Sequence, residues 1–260
     1  MNFFTKLLNR FGLKITVKTY LFTLLLILYL LALIYTKFET VWFQTFLAVV
    51  TTVVLDLALN WYRKRSFFLP DSAIISAFII SMVLASSQLW YVPILAAFYA
   101  IFSKHFVKIK NRHIFNPANL AIFISIYLFG TYDEWWGASN IYIIILGGLF
   151  VMGKLRRIYL PVTFLLTFLL LLFISIPTDF LTSAVSNYAL FFFAFIMLPE
   201  PQTSPLKTQS RIIFAIMTAS LAFIFYSLGI RSYFVTALLL ANGFVPLMNY
   251  FTNNTEADEN

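Results

Sequence analysis

The sequence predicts an all-α polytopic membrane protein with about ten transmembrane helices, several short or broken, and both termini cytoplasmic. Three observations predict it. Of 260 residues, 61% are hydrophobic and 11% charged. A soluble domain has roughly a quarter of its residues charged, so this chain carries more apolar surface than a water-soluble core encloses. The apolar residues fall into about ten runs separated by polar links. The basic residues are segregated: with a cytoplasmic N-terminus and alternating spans, sixteen of the 18 Lys and Arg fall on the inner side, and only Lys37 and Arg231 on the outer. That is the bias that orients membrane proteins, and dropping one span would scramble it.

Composition also excludes whole classes of chemistry. The chain has no cysteine, so thiolate-held iron–sulfur clusters, disulfides and cysteine nucleophiles are out. Two histidines, His105 and His113, do not suffice for haem or zinc held by several imidazoles. The net charge of +8 reads as membrane orientation rather than nucleic-acid binding, and no nucleic-acid partner is expected. No nucleophile–base pair, phosphate-cradling glycine loop or metal-ligand cluster stands out.

The elements follow in order. Residues 1–19 form a basic amphipathic segment, with Lys6, Arg10, Lys14 and Lys18 among Phe3, Phe4, Leu7, Leu8 and Phe11. Such a segment is expected to lie on an anionic leaflet. No small-residue site follows it, so cleavage as a signal peptide is not expected. A single transmembrane domain, 20–250, comes next, with the lipid bilayer as its first partner. Its spans are expected near 20–36, 41–61, 73–87, 89–102, 119–130, 141–153, 159–176, 184–198, 212–229 and 233–250. Asp56 lies inside the second, where a carboxylate is a functional candidate, with pairing to the Arg63-Lys64-Arg65 cluster as the plainer role. Pro70-Asp71-Ser72 precede the third span, and Asp71 or Ser72 suits a cap. Several spans fall short of about 20 residues, and irregular backbone at that depth is tolerated only where protein or a cavity covers it. Trp135 and Trp136 suit a membrane boundary. Pro177-Thr178-Asp179 make a turn, and Pro199, Pro201 and Pro205 forbid regular helix after the eighth span. Residues 251–260, an acidic tail, are expected to be disordered.

The polar island at 103–119 stands out among these runs. Lys104, Lys108, Lys110 and Arg112 answer to topology. Topology does not account for its end, His113-Ile114-Phe115-Asn116-Pro117-Ala118. There Asn116 is placed to cap a helix whose N-terminus favours an anion or a carbonyl-bearing ring, and an Asn side chain both donates and accepts.

Leu69-Pro70-Asp71-Ser72, the 113–118 stretch, and Phe193-Ala194-Phe195-Ile196-Met197 leading to Pro201-Gln202-Thr203-Ser204-Pro205 together resemble the RnfD and NqrB membrane subunits. Those belong to the Rnf and Na⁺-translocating NADH:quinone oxidoreductase complexes. The resemblance covers about residues 60–250. It implies a ten-span membrane subunit of an RnfD/NqrB-like electron transport system in a bacterial inner membrane. The subunit would bind a flavin (FMN or riboflavin), with possible coupling to ion translocation, and would have no catalytic activity alone. Its partners would be the other subunits of a membrane redox complex, since the chain has no NAD-binding signature of its own. The site it implies uses Asn116 and Asn119 as ring or ribityl contacts, and Lys104, His113 and Arg211 for anionic groups. Glu200 and Thr203 would be polar ligands on the facing turn, with Asp71 as a further member. The family's flavin-attachment sequence is absent; its nearest remnant is Gly137-Ala138-Ser139, so non-covalent binding is expected rather than attachment at Ser139. Glu200 stands where the family has Asp. The alternative reading is a small-solute transporter or channel with a broken-helix site.

Overall fold

A computed structural model describes residues 16–36, 38–64, 70–175 and 187–257. The amphipathic residues before Thr16, Lys37, the stretch 65–69, the 177–179 turn, the start of the eighth run and the last three residues lie outside the described residues. Ten helical segments are described, matching the ten apolar runs in order. They are α1 (Val17–Tyr35), α2 (Phe38–Lys64), α3 (Asp71–Val83), α4 (Tyr91–Phe106), α5 (Pro117–Phe129), α6 (Ile141–Leu155), α7 (Tyr159–Ser175), α8 (Tyr188–Phe192, continuing as a π-helical turn, Phe193–Met197), α9 (Thr208–Ser227) and α10 (Tyr233–Ala257). Of these, α1, α2, α9 and α10 are long and apolar enough to cross a bilayer by themselves. The last helix runs to Ala257, well into the stretch expected to be disordered.

The short helices complete their path with extended chain. Helices α3 and α5 have 13 residues each, about 20 Å at 1.5 Å per residue. Beyond them, Leu84 bridges Asp133. The N–H of Ala85 donates to Tyr132 O, those of Glu134 and Trp135 to Val83 O, and that of Gly137 to Met82 O. N–H groups of the segment after α5 thus satisfy the last carbonyls of α3, as burial requires. Gly137 permits this approach: a Cβ there would stand 2.4 Å from Met82 Cβ.

The halves pack alike. Helix α2 lies against α4 as α7 lies against α9, α4 against α5 as α9 against α10, and α1 against α3 as α6 against α8. Contacts α1–α6 and α5–α10 join the halves. No sequence repeat announces this arrangement. Phe164, Phe192 and Phe193 fill the core beside Phe234, with the Phe193 and Phe234 rings stacked at 4.9 Å.

The polar island ends in a hairpin, not a plain loop. Strand β1 (Lys108–Ile109) pairs antiparallel with β2 (Arg112–His113). Lys110 and Asn111 turn between them at φ 48° and 64°, the two left-handed positions of a type I′ turn. The remaining loops sort into two ends. One gathers Lys18, Arg63, the hairpin, Arg156, Arg157, Lys207 and Arg211; the other gathers Asp133, Glu134 and the Gly229–Ser232 turn.

Candidate functional site

The site at the basic end starts from one side chain. Asn116 is the N-cap of α5: its Oδ1 accepts from the Asn119 N–H at 3.1 Å, with Pro117 in the first turn, the arrangement that suits a helix start. Its Nδ2 donates to Met197 O at 3.2 Å, and its own N–H donates to Asn242 Oδ1 at 3.1 Å. Asn242 Nδ2 in turn donates to Thr203 O at 3.2 Å. Two buried asparagines therefore tie α5, the π-helical turn, the proline loop and α10 into one unit.

The π-helical turn shapes the next wall. Leu198 N–H reaches back five residues to Phe193 O at 3.0 Å; such insertions recur at functional sites. Phe195 fills space that Gly148 leaves open, since a Cβ on Gly148 would stand 2.7 Å from Phe195 Cβ.

The proline loop is then fixed by three arginines. Arg112 donates to Pro201 O at 2.7 Å and Ser204 O at 2.9 Å, and Arg157 to Ser204 Oγ at 2.7 Å. Arg211 donates to Pro205 O at 2.8 Å, Tyr159 Oη at 2.9 Å and Leu206 O. Within the loop, Thr203 Oγ1 donates to Glu200 Oε2 at 3.1 Å.

These elements enclose a cavity of about 270 Å³. It lies between the starts of α1, α3 and α5 and the ends of α4, α6 and the π-helical turn. Ile75, Ile79, Val151, Met152, Phe195 and Ile196 give it apolar walls; Lys18, Ser72, Lys104, His113, Asn116, Glu200 and Gln202 give it a polar rim.

Two rim groups are electrostatically unusual. His113 is pushed down to about 4 by burial, helped by the charges of Lys108 and Lys104, so its imidazole is neutral at pH 7. Its Nδ1 is buried without a hydrogen-bond partner. Glu200 is pushed up to about 7 by burial, against the opposing hydrogen bond from Thr203 and the charge of Lys104. Burial first, and then the charge of Arg211, also lowers Arg112 and Arg157.

Four of the seven residues expected from sequence, Lys104, His113, Asn116 and Glu200, thus share one cavity rim. The other three lie behind it. Asn119 is buried and donates through Nδ2 to Val235 O at 2.9 Å. Thr203 orients Glu200, and Arg211 holds the loop backbone. Asp71 begins α3 rather than capping it from outside; its Oδ1 accepts from Ser72 N–H and pairs with Lys18 Nζ at 3.0 Å. Ser139 lies at the opposite end of the bundle, its Oγ donating to Leu28 O at 3.4 Å.

Asp56 is paired differently from the sequence expectation. Its Oδ1 receives Lys104 Nζ at 2.9 Å and His105 Nε2 at 2.8 Å. Arg63 donates to the His105 carbonyl instead. Helix α2 lies against α4 along its length, which brings Lys104 and His105 nearer than the basic cluster on α2's own end. Lys104 therefore stands between Asp56 and the cavity.

Sequence reasoning missed Asn242 and Gln202, and it counted Arg112 and Arg157 only for topology. Asn242 did leave a signal, being an amide inside the apolar run 237–245 of its helix, where an unpaired polar group is expensive.

The model of the NQR2, RnfD, RnfE family matches residues 123–258, a stretch that includes Glu200, Gln202, Thr203, Arg211 and Asn242 while the rim residues Lys104, His113 and Asn116 precede it. A comparison with curated proteins found no significant match. The chain belongs to the NQR2, RnfD, RnfE family.

Proposed function

We propose that this family member, a multi-pass membrane subunit of an Rnf/Nqr-type electron-transport complex, binds a flavin ring non-covalently in the cavity at the basic end. The observation that carries the reading is the convergence of Lys104, His113, Asn116 and Glu200 on one rim, with His113 Nδ1 buried and unpartnered. A buried polar atom without a partner costs about 1–3 kcal/mol, which a ligand with a polar edge would offset.

The residues fit such a group. A volume of about 270 Å³ lies near the lower end of small-molecule sites, about 300–1,000 Å³, so it suits a ring system better than a whole nucleotide. The lining combines apolar walls with polar groups, as a flat ring with a carbonyl-bearing edge requires. His113 Nδ1 and Gln202 would meet that edge, Phe195 would lie against the ring, and Lys104 and Glu200 would set the charge beside it. Asn116 positions the rim, because its cap and its bond to Met197 already use its side chain. A bound flavin would supply one- and two-electron transfer there. The chain's own groups would orient the ring and exclude water, and Glu200, with its carboxyl near 7, would hold or release a proton beside it. Placement in a bacterial inner membrane, coupling to ion movement and the soluble redox partners belong to the same proposal.

The mirrored packing of the two halves favours a second reading, a small-solute transporter or channel, since such repeats recur in transport folds. Absorbance from about 350 to 500 nm on the detergent-purified chain separates the two. A yellow chromophore that leaves on denaturation supports the flavin reading. A folded but colourless preparation that takes up no added FMN or riboflavin overturns it. Chromophore that stays with the denatured chain would point to a hydroxyl such as Ser139 instead.

A further inference from the structure

A second concavity, about 460 Å³, lies outside the cavity between the hairpin, the proline loop and α10, with His113 and Gln202 as the shared wall. Its composition is two-sided. Ile109, Leu206, Val245 and Tyr250 give it apolar lining, and Lys110 and Arg112 of the hairpin give it positive charge. Ile109, Leu206 and Tyr250 are 47%, 45% and 60% exposed, so its apolar side opens outward at the basic end of the bundle.

Among the described residues the charge beside it has no carboxylate partner. Arg112, Arg157 and Arg211 converge on one loop, and each donates only to carbonyl or hydroxyl oxygens. Among the described residues the ion pairs involve Lys18, Lys104 and His105, and none reaches these arginines. Three neighbouring guanidinium groups without a carboxylate repel one another, and a bound anion would relieve that repulsion. Arg112 is the member of the three that lines the groove.

We propose that this groove binds the phosphate of an anionic phospholipid. Lys110 and Arg112 hold the headgroup, and an acyl chain lies along Val245 and Tyr250. The apolar wall selects a lipid over free phosphate, and the two cations select an anionic lipid over a zwitterionic one. Basic pockets beside transmembrane helices have this chemistry. The inference does not depend on what fills the cavity.

The test uses the full chain in detergent, with native mass spectrometry and thermal unfolding in the presence of dioleoyl phosphatidylglycerol, dioleoyl phosphatidylcholine or inorganic phosphate. Phosphatidylglycerol is expected to remain as one retained adduct and to raise the unfolding midpoint, while the other two do neither. Lys110→Asn, which tolerates the φ of 48° at that position, is expected to weaken phosphatidylglycerol binding about fivefold and to leave the lipid-free midpoint unchanged. Arg112→Gln is expected to weaken it further. Should Arg112→Gln fail to fold, Lys110→Asn decides alone. Equal retention of phosphatidylcholine, equal stabilisation by inorganic phosphate, or wild-type phosphatidylglycerol binding by Lys110→Asn would each overturn the proposal.

Discussion

The two ends of the bundle treat charge in opposite ways. At the acidic end Asp133 and Glu134 are both answered. Asp133 accepts from Trp135 Nε1 at 2.6 Å and from Ser232 Oγ, and Glu134 accepts from the Ser86 N–H at 2.6 Å. Gln88 Nε2 and Trp136 Nε1 are left without partners there, as the neutral His113 Nδ1 is at the other end. At the basic end Glu200 has one hydroxyl donor, the arginine trio has no carboxylate among the described residues, and His113 Nδ1 has no partner. Charges satisfied by the chain hold a fold together. Charges left for something else mark where a ligand, lipid or partner completes the structure. The same chain follows both policies at its two ends, about one helix length apart.

The comparison breaks most readily at Asn242. Its amide gives the Asn116 N–H an acceptor and the Thr203 carbonyl a donor, both in buried surroundings. Asn242→Ala leaves both unsatisfied and is expected to destabilise the detergent-solubilised protein by about 3–4 kcal/mol, read from thermal unfolding. If the loss is below about 1 kcal/mol, the basic end is not held by the asparagine pair.

Next comes the pH response of Glu200. Its carboxyl is raised from 4.5 to about 7, so the folded chain binds the proton more tightly than the unfolded chain. Stability from this group is full below pH about 4.5 and falls as pH rises through about 7, by about 3 kcal/mol. His113 has the opposite slope: lowered from 6.5 to about 4, it loses stability as pH falls through that window. The two nearly cancel in the wild type between pH about 4.5 and 6.5. Glu200→Gln, which keeps an acceptor for Thr203, is expected to expose a stability that rises with pH there. A flat profile in that variant would show that His113 does not titrate as its surroundings dictate.

At the acidic end, Asp133→Ala removes the acceptor of Trp135 and Ser232. About 2 kcal/mol of stability should go with it, with no change in flavin or lipid binding. An effect on binding would show that the ends are coupled and that the contrast between them is too simple.

How much of this was legible in the sequence depends on range. The ten helical segments followed from hydropathy, and the Asn116 cap from an Asn-Pro at a helix start, because both signals are local. The rim also emerged in part, as His113 and Asn116 are three residues apart. The partners of Asp56 did not, because Lys104 and His105 are 48 and 49 residues away. Nor did Asn242, which is 126 residues from Asn116; the bond arises only when α10 packs on α5. The mirrored packing of the halves rests on helix directions and neighbours, which very different side chains support equally well. The hairpin at Lys110-Asn111 was missed because two-residue strands have no periodicity to read.

His113 gives the smallest effect on stability and the most on meaning. At pH 7.5 it is neutral, half-buried, and its Nδ1 contributes no bond. His113→Leu replaces an orphaned polar atom with an apolar one of similar reach, so the unfolding midpoint at that pH should move by less than the equivalent of about 1 kcal/mol. A residue kept only for packing would then be silent in every assay. Under the flavin reading it is not silent: the variant should lose affinity for added FMN or riboflavin about tenfold, the worth of one hydrogen bond at a buried polar edge. Its stability should also fall from pH about 4.5 to 7, because the opposing slope of Glu200 remains. Unchanged flavin uptake with the altered pH profile would separate electrostatics from binding and assign His113 to the first alone. Weakened flavin uptake together with the altered pH profile would tie the unpartnered Nδ1 of His113 to the ligand that completes the basic end.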